Sequence, residues 1–410
     1  MERVSRSRPL AILVHTFPLP STTFIANEVR TLEVQGVPVR LFAIRRPAAD
    51  EITSGTADLA ARTDYLLPMP AGAAIAAHVL TMARRPIGYL RALSRALFAG
   101  RLRPRDRRRT LLHFVEAVAL APRLAAAGCD HLHAHALSGT ATIAWLLDPL
   151  GGPPFSLTAH GTDIFVERVL LAVKVDAARF TRVGTRFNRD HLVAEGASGA
   201  RIEVQPFGID TDRFRPRSPA GADGNGPLRI VTVGRLVWQK AQHLLLEACA
   251  RFARAGGRFA LTIVGDGTRR GELEALAGRL GIAGSVRFAG ALGESEVAEA
   301  LRDADLFVLS SVSEGFGMVF FEAMASGIPV VAPDLHGLSE IVDDGVEGRL
   351  FPAGSVEDLA RCVGELAADR STRQRMGAAG RLRVERGFRH AAQVGAFAAR
   401  LHEARGAAAR

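Results

Sequence analysis

The sequence predicts an α/β protein made of two consecutive domains, each with a parallel β-sheet covered by helices. Its 410 residues are about right for two domains of roughly 200 residues each. Short apolar segments typical of buried strands alternate with helical patterns along the chain. This alternation stops once, at the Pro- and Gly-rich segment RPRSPAGADGNGP (215–227), and then starts afresh. We therefore expect a linker there.

The first domain is predicted over residues 1–214. It opens with the strand LAILVHT (10–16) and a helix from Thr22 to Gln35, with Ser21 as its N-cap. The remaining predicted strands are VPVRLFAI (37–44), DHLHAH (130–135), FSLTAH (155–160), FTRVGT (180–185) and RIEVQPF (201–207). A helical insertion dotted with arginines interrupts this domain between about residues 71 and 127.

The second domain is predicted over residues 228–385, and a C-terminal helix over 386–410 is expected to pack back toward the first domain. Its predicted strands are LRIVTVG (228–234), FALTIVG (259–265), SVRFAG (285–290), DLFVLSS (305–311) and IPVVAP (328–333). Each domain is therefore Rossmann-like. In such sheets ligands gather beyond the carboxyl ends of the strands, and two domains facing each other would form a cleft there.

The composition, 48% hydrophobic and 23% charged, is that of a globular protein. Cys129, Cys249 and Cys362 are far apart and odd in number, so we expect no disulfide framework and a reducing compartment. The sequence contains no run of about 18 apolar residues, the length that a membrane span needs. These features predict a cytoplasmic protein, either soluble or peripheral on the inner face of the plasma membrane.

The net charge of +10 is concentrated in the first half of the chain. Residues 1–215 hold 28 Arg and Lys against 19 Asp and Glu, and ten of these arginines lie between Arg84 and Arg109. One interpretation is a solvated surface; the other is an anionic partner. The sequence has no nucleic-acid-binding motif, so we favour a membrane surface, with nucleic acid excluded. The apolar residues expected on that surface are Ile75, Val79, Leu90, Leu93 and Leu97.

The segment SEGFGMVFFEA (313–323) places Glu314 and Glu322 eight positions apart. Paired carboxylates often serve hydrolysis as acid and base. Here, however, a helix is predicted to begin between them, near Gly317 or Met318. The unpaired N–H groups of a helix start suit a phosphate. This arrangement favours recognition of a nucleotide-sugar over hydrolysis.

A second segment, GRLVWQK (234–240), follows the first strand of the second domain. It carries Arg235 and Lys240, and the chain has only one other lysine, Lys174. A guanidinium and an ammonium together could hold a diphosphate and neutralise it as it leaves. An ordinary surface pair at a helix start is an equally good interpretation of these residues alone.

Taken together, these segments and HGLSEIVDDGVEGRLF (336–351) resemble the donor half of the family-4 retaining glycosyltransferases, which have the GT-B fold of two Rossmann-like domains. In the first domain, HTFPLPSTTFIANEVRTLEVQGVPVRLF (15–42) resembles a subgroup that builds bacterial exopolysaccharides, including colanic-acid-type enzymes. HAHA (133–136) and TAHGTDIF (158–165) strengthen this resemblance.

The resemblance implies roles for individual residues. Glu322 would bind the ribose and Glu314 the donor sugar, while Arg235 and Lys240 would hold the diphosphate. His160 would face the donor sugar across the cleft. The other implied donor-site residues are Gly234, Gly290, Gly315, Phe316, Gly317 and Met318, with the base near residues 288–292. The implied acceptor-side residues are His15, Ser21, Thr22, His135 and Asp163.

The implied activity is transfer of a hexose-type sugar from a nucleoside-diphosphate sugar to an acceptor hydroxyl, with retention of configuration and without a metal or other cofactor. The acceptor would be a lipid-linked or growing saccharide of a cell-surface polysaccharide. Three alternatives remain open: a nucleotide-sugar epimerase of the same architecture, a glycosyltransferase with a soluble natural-product acceptor, and a non-catalytic binding protein.

The chain departs from the usual motifs of this family at several positions. It has Ser21-Thr22 where Ser-Glu is common, and Lys240-Ala241 where Lys-Gly is common. These departures leave the donor-site assignment unchanged.

Three patterns have simpler interpretations than a binding site. His131, His133 and His135 alternate along one strand, and side chains on one face of a strand rarely converge on one metal. The DxD pairs at 210–212 and 303–305 are expected to be turn and cap residues. Asp163 is expected to N-cap a helix, and Trp238 to be a packing residue.

Overall fold

The structure is a computed structural model that describes residues 8–100, 102–165, 167–217, 226–314 and 316–406. The chain divides into two compact units. The first comprises Met1–Pro206 together with Val394–Arg410, and the second comprises Phe207–Gln393. The end of the chain thus belongs to the same unit as its beginning.

The first unit contains a seven-stranded, all-parallel sheet. Its strands are β1 (Leu10–Thr16), β2 (Val39–Arg45), β3 (Thr63–Leu67), β4 (His131–His135), β5 (Phe155–Thr158), β6 (Thr181–Val183) and β7 (Ile202–Val204). They lie in the order β3-β2-β1-β4-β5-β6-β7. The strand order therefore reverses between β1 and β4.

Nine helices of the described residues belong wholly to this unit. They are α1 (Thr23–Val34), α2 (Ala57–Arg62), α3 (Ala71–Arg84), α4 (Pro86–Phe98), α5 (Pro104–Ala126), α6 (Gly139–Leu147), α7 (Gly161–Phe165), α8 (Leu171–Ala177) and α9 (Arg186–Ala194). The predicted N-cap of α1 was wrong. A 3₁₀ turn precedes the helix, and Thr22 rather than Ser21 is the N-cap. The Thr22 hydroxyl accepts a hydrogen bond from Leu19 N (2.8 Å), which stabilises this turn.

The predicted insertion forms α3, α4 and α5, which pack against one another, and α5 also packs against α6. The inner face of α5 places Phe114, Val118 and Leu124 in the core. By contrast, α3 has no fully buried residue. Ala92 and Ala96 of α4 are also buried in this core, so the insertion consists of two anchored helices and one, α3, that lies farther out.

The core of the first unit lies on both faces of its sheet, as expected for a parallel sheet covered by helices. The side chains of Leu10 to Leu13 on β1 are completely buried. On one face, Ile25 and Val29 of α1 pack with Val394 and Phe397 of the last helix, α16 (His390–Gly406). Burial of these apolar side chains attaches the end of the chain to the first unit.

The second unit contains a six-stranded, all-parallel sheet in the order β10-β9-β8-β11-β12-β13. Its strands are β8 (Leu228–Val233), β9 (Phe259–Val264), β10 (Val286–Gly290), β11 (Leu306–Val308), β12 (Val330–Asp334) and β13 (Gly348–Pro352). Its helices are α10 (Gln242–Arg254), α11 (Arg270–Arg279), α12 (Glu294–Asp303), α13 (Met318–Ala325), α14 (Val356–Ala368) and α15 (Arg370–Gly387).

The strand order of the second sheet reverses between β8 and β11, as that of the first does between β1 and β4. Such a reversal opens a crevice at the carboxyl ends of the two central strands, where ligands of open α/β sheets bind. The two predicted donor motifs follow β8 and β11, the two strands that flank this point. Within the described residues, every helix is too short or too polar to span a bilayer.

Candidate active site

The loops that follow β8 and β11 are joined to each other by hydrogen bonds. The buried Ser310 hydroxyl donates to the backbone oxygens of Lys240 (3.2 Å) and Ala241 (3.0 Å). Val312 N donates to Gln239 O (2.9 Å). Residues 69 and 70 positions apart in sequence are in this way held together by one side chain.

Lys240 and Glu314 form an ion pair at this junction. Lys240 Nζ lies 2.5 Å from Glu314 Oε2, and the hydroxyl of Ser311 donates to the same carboxylate oxygen (3.2 Å). The lysine stem passes Gly234, where a Cβ would lie 3.6 Å from Lys240 Cε. Both side chains are mostly shielded from water, so the attraction between them is stronger than at an open surface. The sequence predicted both residues but not their direct contact.

Arg235 lies apart from this ion pair. Its side chain is exposed, and among the described residues it makes no salt bridge. Its backbone oxygen accepts a hydrogen bond from Gln242 Nε2 (3.0 Å). Trp238, expected to be a packing residue, is 63% exposed. That expectation does not agree with this exposure; Trp238 is the first residue of a 3₁₀ turn over Trp238–Lys240.

The start of α13 requires glycine at position 317. Gly317 has a φ of +66°, and a Cβ there would lie 2.6 Å from the Phe320 ring. Met318 is the first residue of the helix, so the unpaired N–H groups begin here. Phe316 is buried, with its ring against those of Phe207 (5.2 Å) and Phe321 (4.8 Å). Gly315, which the sequence also implicates, lies outside the described residues.

Glu322 lies in the second turn of α13. Burial, with a smaller contribution from Glu294, raises its pKa to about 7. Glu294 itself pairs with Arg213. At neutral pH the Glu322 carboxyl is therefore divided between its neutral and ionised forms, and hydroxyl donors would favour the ionised one.

Gly290, also implicated in donor binding, ends β10, and its carbonyl accepts a hydrogen bond from Gly265 N (2.8 Å).

The first unit has a cavity of about 400 Å³ at the carboxyl ends of β1 and β4. It is lined by His15, Arg109, His113, Ala136, Ser138, Gly139, His160, Asp163 and Glu167. The predicted residues His15, His160 and Asp163 therefore lie together. Ser21, Thr22 and His135 do not line this cavity. The sequence did not predict the wall that α5 supplies through Arg109 and His113.

Asp163 connects the loops that follow β4 and β5. It is the third residue of α7 rather than its N-cap, and it accepts hydrogen bonds from His160 N (2.9 Å) and Leu137 N. Burial raises its pKa to about 7. The buried Lys174 ammonium donates to Leu137 O, and burial lowers the pKa of Lys174 to about 8. Asp163 thus positions the loop that carries His160.

His160 is a neutral imidazole at physiological pH. Burial, aided by the nearby His135, lowers its pKa to about 3. Its ring stacks on that of His135, with centroids 5.8 Å apart and planes 9° from parallel, and the Phe24 ring contacts it edge-on at 5.3 Å. The His160 ring is therefore fixed in position by its aromatic neighbours.

A buried ion pair lies behind this cavity. Glu28 Oε2 lies 2.6 Å from Arg182 Nη1, and Glu28 Oε1 lies 3.4 Å from His135 Nε2. Arg182 also donates to Gln205 O (3.2 Å) and Pro206 O (3.1 Å). Burial alone would raise the pKa of Glu28, but Arg182 and His135 hold it well below its ordinary value. The pair is thus charged, and within the described residues Glu28 Oε1 has the His135 imidazole nearby but no hydrogen-bond partner.

The histidines of β4 take part in hydrogen bonds within the sheet. The Ser156 hydroxyl lies 2.9 Å from His131 Nε2 and 2.8 Å from His133 Nδ1, and the Thr158 hydroxyl lies 2.8 Å from His133 Nε2. In the parts of the chain that the structure describes, no three His, Cys, Asp or Glu side chains converge as metal ligands would.

The two DxD pairs have structural partners. Asp305 accepts hydrogen bonds from Arg229 Nε (3.0 Å) and Nη2 (2.6 Å). Asp210 Oδ1 accepts from the backbone nitrogens of Asp212 (3.0 Å) and Arg213 (3.1 Å), which makes a turn. The arrangement at Asp210 agrees with the predicted turn, whereas Asp305 pairs with Arg229 and is not a cap residue.

Comparison with known proteins gives a family match within the second unit. The profile described as "Glycosyl transferases group 1" matches residues 217–383. The chain is 30% identical to the putative colanic acid biosynthesis glycosyltransferase WcaL of Escherichia coli, over 84% of this chain and 87% of that protein. It is 27% identical to the amylovoran biosynthesis glycosyltransferase AmsK of Erwinia amylovora, over 92% and 95%. It is 31% identical to a GDP-mannose-dependent alpha-(1-6)-phosphatidylinositol monomannoside mannosyltransferase of Mycobacterium tuberculosis, over 64% and 67%.

Solved structures with the same fold cover nearly the whole chain. Alr3699/HepE of Anabaena, crystallised in complex with UDP, aligns with a TM-score of 0.73 and 18% identity over 96% of this chain and all of its own. The sucrose-phosphate synthase of Thermosynechococcus elongatus aligns with a TM-score of 0.74 and 20% identity over 97% of this chain and all of its own. These likenesses identify the GT-B fold.

Proposed function

This chain belongs to the group 1 glycosyl transferases, and we propose that it moves a sugar from a nucleoside-diphosphate sugar to an acceptor hydroxyl with retention of configuration. The Lys240–Glu314 pair, which lies at the reversal point of the second sheet, is the observation that carries this proposal. A cation and an anion fixed side by side suit a substrate that presents a diphosphate next to sugar hydroxyls.

Each charged group has a separate task in this proposal. Lys240 binds the diphosphate while keeping its contact with Glu314, whose carboxylate accepts a hydrogen bond from a donor-sugar hydroxyl. Arg235 is exposed and makes no salt bridge among the described residues, so its side chain can rotate toward a phosphate group of the donor without breaking an ion pair. Glu322 accepts hydrogen bonds from the ribose hydroxyls. The first turn of α13 adds N–H donors for phosphate oxygens.

The chemical step breaks the bond between the anomeric carbon and the diphosphate oxygen, and forms a new bond from that carbon to the acceptor oxygen. Positive charge develops on the sugar ring and negative charge on the leaving group. Lys240, Arg235 and the start of α13 stabilise that negative charge. The departing phosphate takes the acceptor's proton on the same face of the sugar, so no protein nucleophile is needed. His160, in the first unit, is a neutral imidazole and carries no positive charge.

We propose that no metal is required. The charges that a divalent cation would neutralise have protein partners in Lys240 and Arg235, and the aspartates of the DxD pairs are engaged in structural hydrogen bonds. The expected result is transfer activity that survives EDTA. Loss of activity with chelator, restored by manganese or magnesium, would contradict this part of the proposal.

The proposed acceptor is a lipid-linked or growing saccharide of a cell-surface polysaccharide. The names of the relatives support this choice, because two refer to the synthesis of amylovoran and colanic acid and the third to phosphatidylinositol mannosides. A lipid-linked acceptor would be present at a membrane surface, which the enzyme would have to reach.

The insertion offers an exposed apolar face for that purpose. Eight large apolar residues of α3, α4 and α5 are exposed, namely Ile75, Val79, Leu80, Met82, Ile87, Leu90, Phe98 and Leu112. Leu93, expected on this face, packs against the core instead, and Leu97 is only partly exposed. Exposed arginines, including Arg91, Arg105 and Arg108, accompany these residues. We propose that this surface binds an anionic leaflet peripherally.

Binding to liposomes tests the membrane proposal. Replacement of Arg103, Arg105, Arg107 and Arg108 by Gln should weaken binding to anionic vesicles, since each arginine near such a surface contributes about 1 kcal/mol. The matched control replaces four exposed arginines of the second unit, Arg251, Arg258, Arg279 and Arg386. Equal loss in both variants, or no wild-type binding at low salt, would favour a soluble acceptor.

Mass spectrometry tests the proposed reaction itself. The protein is incubated with UDP- and GDP-sugars and a lipid extract, and both the nucleotide and the lipid products are analysed. Glycosyl transfer predicts release of a nucleoside diphosphate and a mass gain of one sugar in the acceptor. Conversion of the donor to an isomer, without consumption of an acceptor, would identify an epimerase instead.

A further inference from the structure

The cavity of the first unit has a lining suited to hydroxyl groups. Among the described residues its walls carry three imidazoles, the Ser138 hydroxyl and the Arg109–Glu167 pair (3.4 Å), and they include no large aliphatic side chain. An acyl chain would therefore find little apolar contact with these residues. The positive charge of Arg109 lies beside Glu167, and the carboxyl group of Asp163 belongs to the same lining, so these residues do not present the excess of positive charge that favours a phosphate. A mixture of donors and acceptors of this kind suits a saccharide.

His113 is the lining residue whose orientation is most clearly fixed. Its Nδ1 lies 2.7 Å from Oε2 of Glu116, a buried carboxylate one turn farther along α5. The ring lies directly over Gly139, where a Cβ would come within 2.7 Å of His113 Cε1 and 3.0 Å of Nε2. A side chain at position 139 would therefore displace the imidazole. Gly139 and Glu116 together hold the ring in one position.

The contact with Glu116 also determines what His113 can offer a ligand. A neutral imidazole that donates its Nδ1 proton to a carboxylate carries a lone pair on Nε2. Within the described part of the chain, this Nε2 atom has no hydrogen-bond partner, and the residue lines the cavity. Through Nε2, His113 can thus form a hydrogen bond with a hydroxyl group in the cavity, which can act as donor or acceptor.

We propose that this cavity binds the terminal sugar of the acceptor and that Nε2 of His113, positioned by Glu116, forms a hydrogen bond with one of its hydroxyls. The proposal rests on the glycosyltransferase function proposed above and names a side chain, on the inserted α5, that selects the acceptor. In the same lining, the Arg109–Glu167 pair offers a donor and an acceptor to neighbouring hydroxyls. Asp163 acts only by positioning the loop of His160.

Direct binding of neutral hexoses tests this proposal. Wild-type protein is titrated with D-glucose, D-galactose, D-mannose and N-acetyl-D-glucosamine and observed by saturation-transfer difference NMR. A single sugar makes few contacts, so at least one of them should bind with a Kd in roughly the millimolar range. His113→Phe, which keeps a ring over Gly139 but removes both nitrogens, should weaken that binding about tenfold.

Two further variants keep the test decisive. Gly139→Ala should weaken hexose binding in the same way, because its methyl group displaces the imidazole without altering any charge. If His113→Phe does not fold, the hexose affinity of Gly139→Ala tests the proposal in its place. His402→Ala, which removes an exposed histidine of α16, should leave hexose binding unchanged. Equal hexose binding by wild type and Gly139→Ala, binding of no hexose up to about 100 mM, or binding of inorganic phosphate alone would overturn the proposal.

Nucleotide binding separates this proposal from the one on which it rests. His113→Phe should bind UDP or GDP as the wild type does, because the residues assigned to the nucleotide belong to the second unit. If the nucleotide binds normally and the hexose result fails, the acceptor assignment is wrong and the glycosyltransferase proposal stands. If no nucleoside diphosphate binds, the function itself is wrong.

Discussion

The two sheets reverse their strand order in the same way, but the ion pairs beside the two reversal points differ in burial and partners. In the first unit, Glu28 and Arg182 are fully buried, and the arginine has two further backbone acceptors. In the second unit, Lys240 and Glu314 remain partly accessible, and Ser311 is the additional donor to the carboxylate. The first pair is a closed structural network, whereas the second leaves room for a ligand.

This difference shows that an ion pair at the functional edge of a sheet is not by itself a functional site. Burying two charges costs several kcal/mol each, so a fully buried pair persists only where its partners offset that cost, and its burial keeps it out of reach of a substrate. A partly accessible pair keeps unused hydrogen-bonding capacity. Accessibility, rather than charge, therefore distinguishes the two roles.

The largest expected effect is on the stability of the first unit. Arg182→Leu leaves the Glu28 carboxylate buried beside His135 alone, which should lower the free energy of unfolding by about 3 to 5 kcal/mol. Chemical denaturation measures this change. The matched control, Arg361→Leu, removes an arginine from an exposed ion pair with Glu365 on α14 and should cost less than about 1 kcal/mol. Equal effects would mean that burial does not distinguish the pairs.

The next effect is on activity and concerns the second unit. Lys240→Met should reduce sugar transfer by roughly 10²- to 10³-fold, because one group that stabilises the leaving diphosphate is lost. The fold should change far less than in Arg182→Leu. Because Lys240 touches Glu314, the Lys240→Met/Glu314→Gln double variant should be little worse than Lys240→Met alone. Additive losses in steady-state kinetics would show that the two residues act independently.

The sequence predicted the central strands of the sheets more accurately than some of the edge strands. The central strands β1 and β8 were predicted with nearly their observed bounds, because strands buried on both faces read as continuous apolar runs. Of the four edge strands, β7 and β10 were predicted and β3 and β13 were missed. The sequences of the missed strands, TDYLL and GRLFP, are five residues long and each contains a charged residue, Asp64 or Arg349, which interrupts the apolar run.

For the candidate site, too, the sequence predicted what depends on local pattern and missed what depends on tertiary contacts. Glu314, Lys240 and Gly317 were predicted because each belongs to a short continuous motif. The contact between Lys240 and Glu314 was not, since it depends on β8 lying beside β11, and alternation of strands and helices does not define strand order. The α5 wall of the cavity was missed for a related reason. The way an insertion packs onto the sheet follows from tertiary contacts, not from local sequence pattern.

A third, smaller effect concerns pH and Glu322. The pKa of the Glu322 carboxyl is raised on folding, because burial disfavours its ionised form. The stability that the neutral carboxyl contributes is therefore fully present below about pH 4.5, and it is lost as the pH rises through about 7. Glu322→Gln should therefore gain stability relative to wild type between pH 5 and pH 8, on the order of 1 to 2 kcal/mol after allowance for its partial exposure. Thermal unfolding at both pH values measures this. The same variant should bind nucleotide more weakly; a gain in both properties would contradict the ribose-binding role.

The smallest effect concerns Ala241, which has a φ of +46° where related motifs carry glycine. Ala241→Gly relieves the strain of an alanine in the left-handed backbone conformation, but it increases the conformational entropy of the unfolded chain. These two contributions to the free energy of unfolding nearly cancel. We expect a change in unfolding free energy within about 1 kcal/mol and unchanged turnover. A large loss of turnover would show that the Cβ of Ala241 fixes the Lys240 loop, beyond the two hydrogen bonds from Ser310.

The central claim is that the accessible ion pair of the second unit binds the diphosphate of a nucleotide without a metal. Calorimetric titration of wild type and Lys240→Met with UDP and with GDP, in buffer containing EDTA, tests it most directly. The claim predicts that wild type binds at least one of the two nucleotides and that Lys240→Met binds it at least about tenfold more weakly. Absence of binding in EDTA, or equal affinity in both proteins, would contradict it.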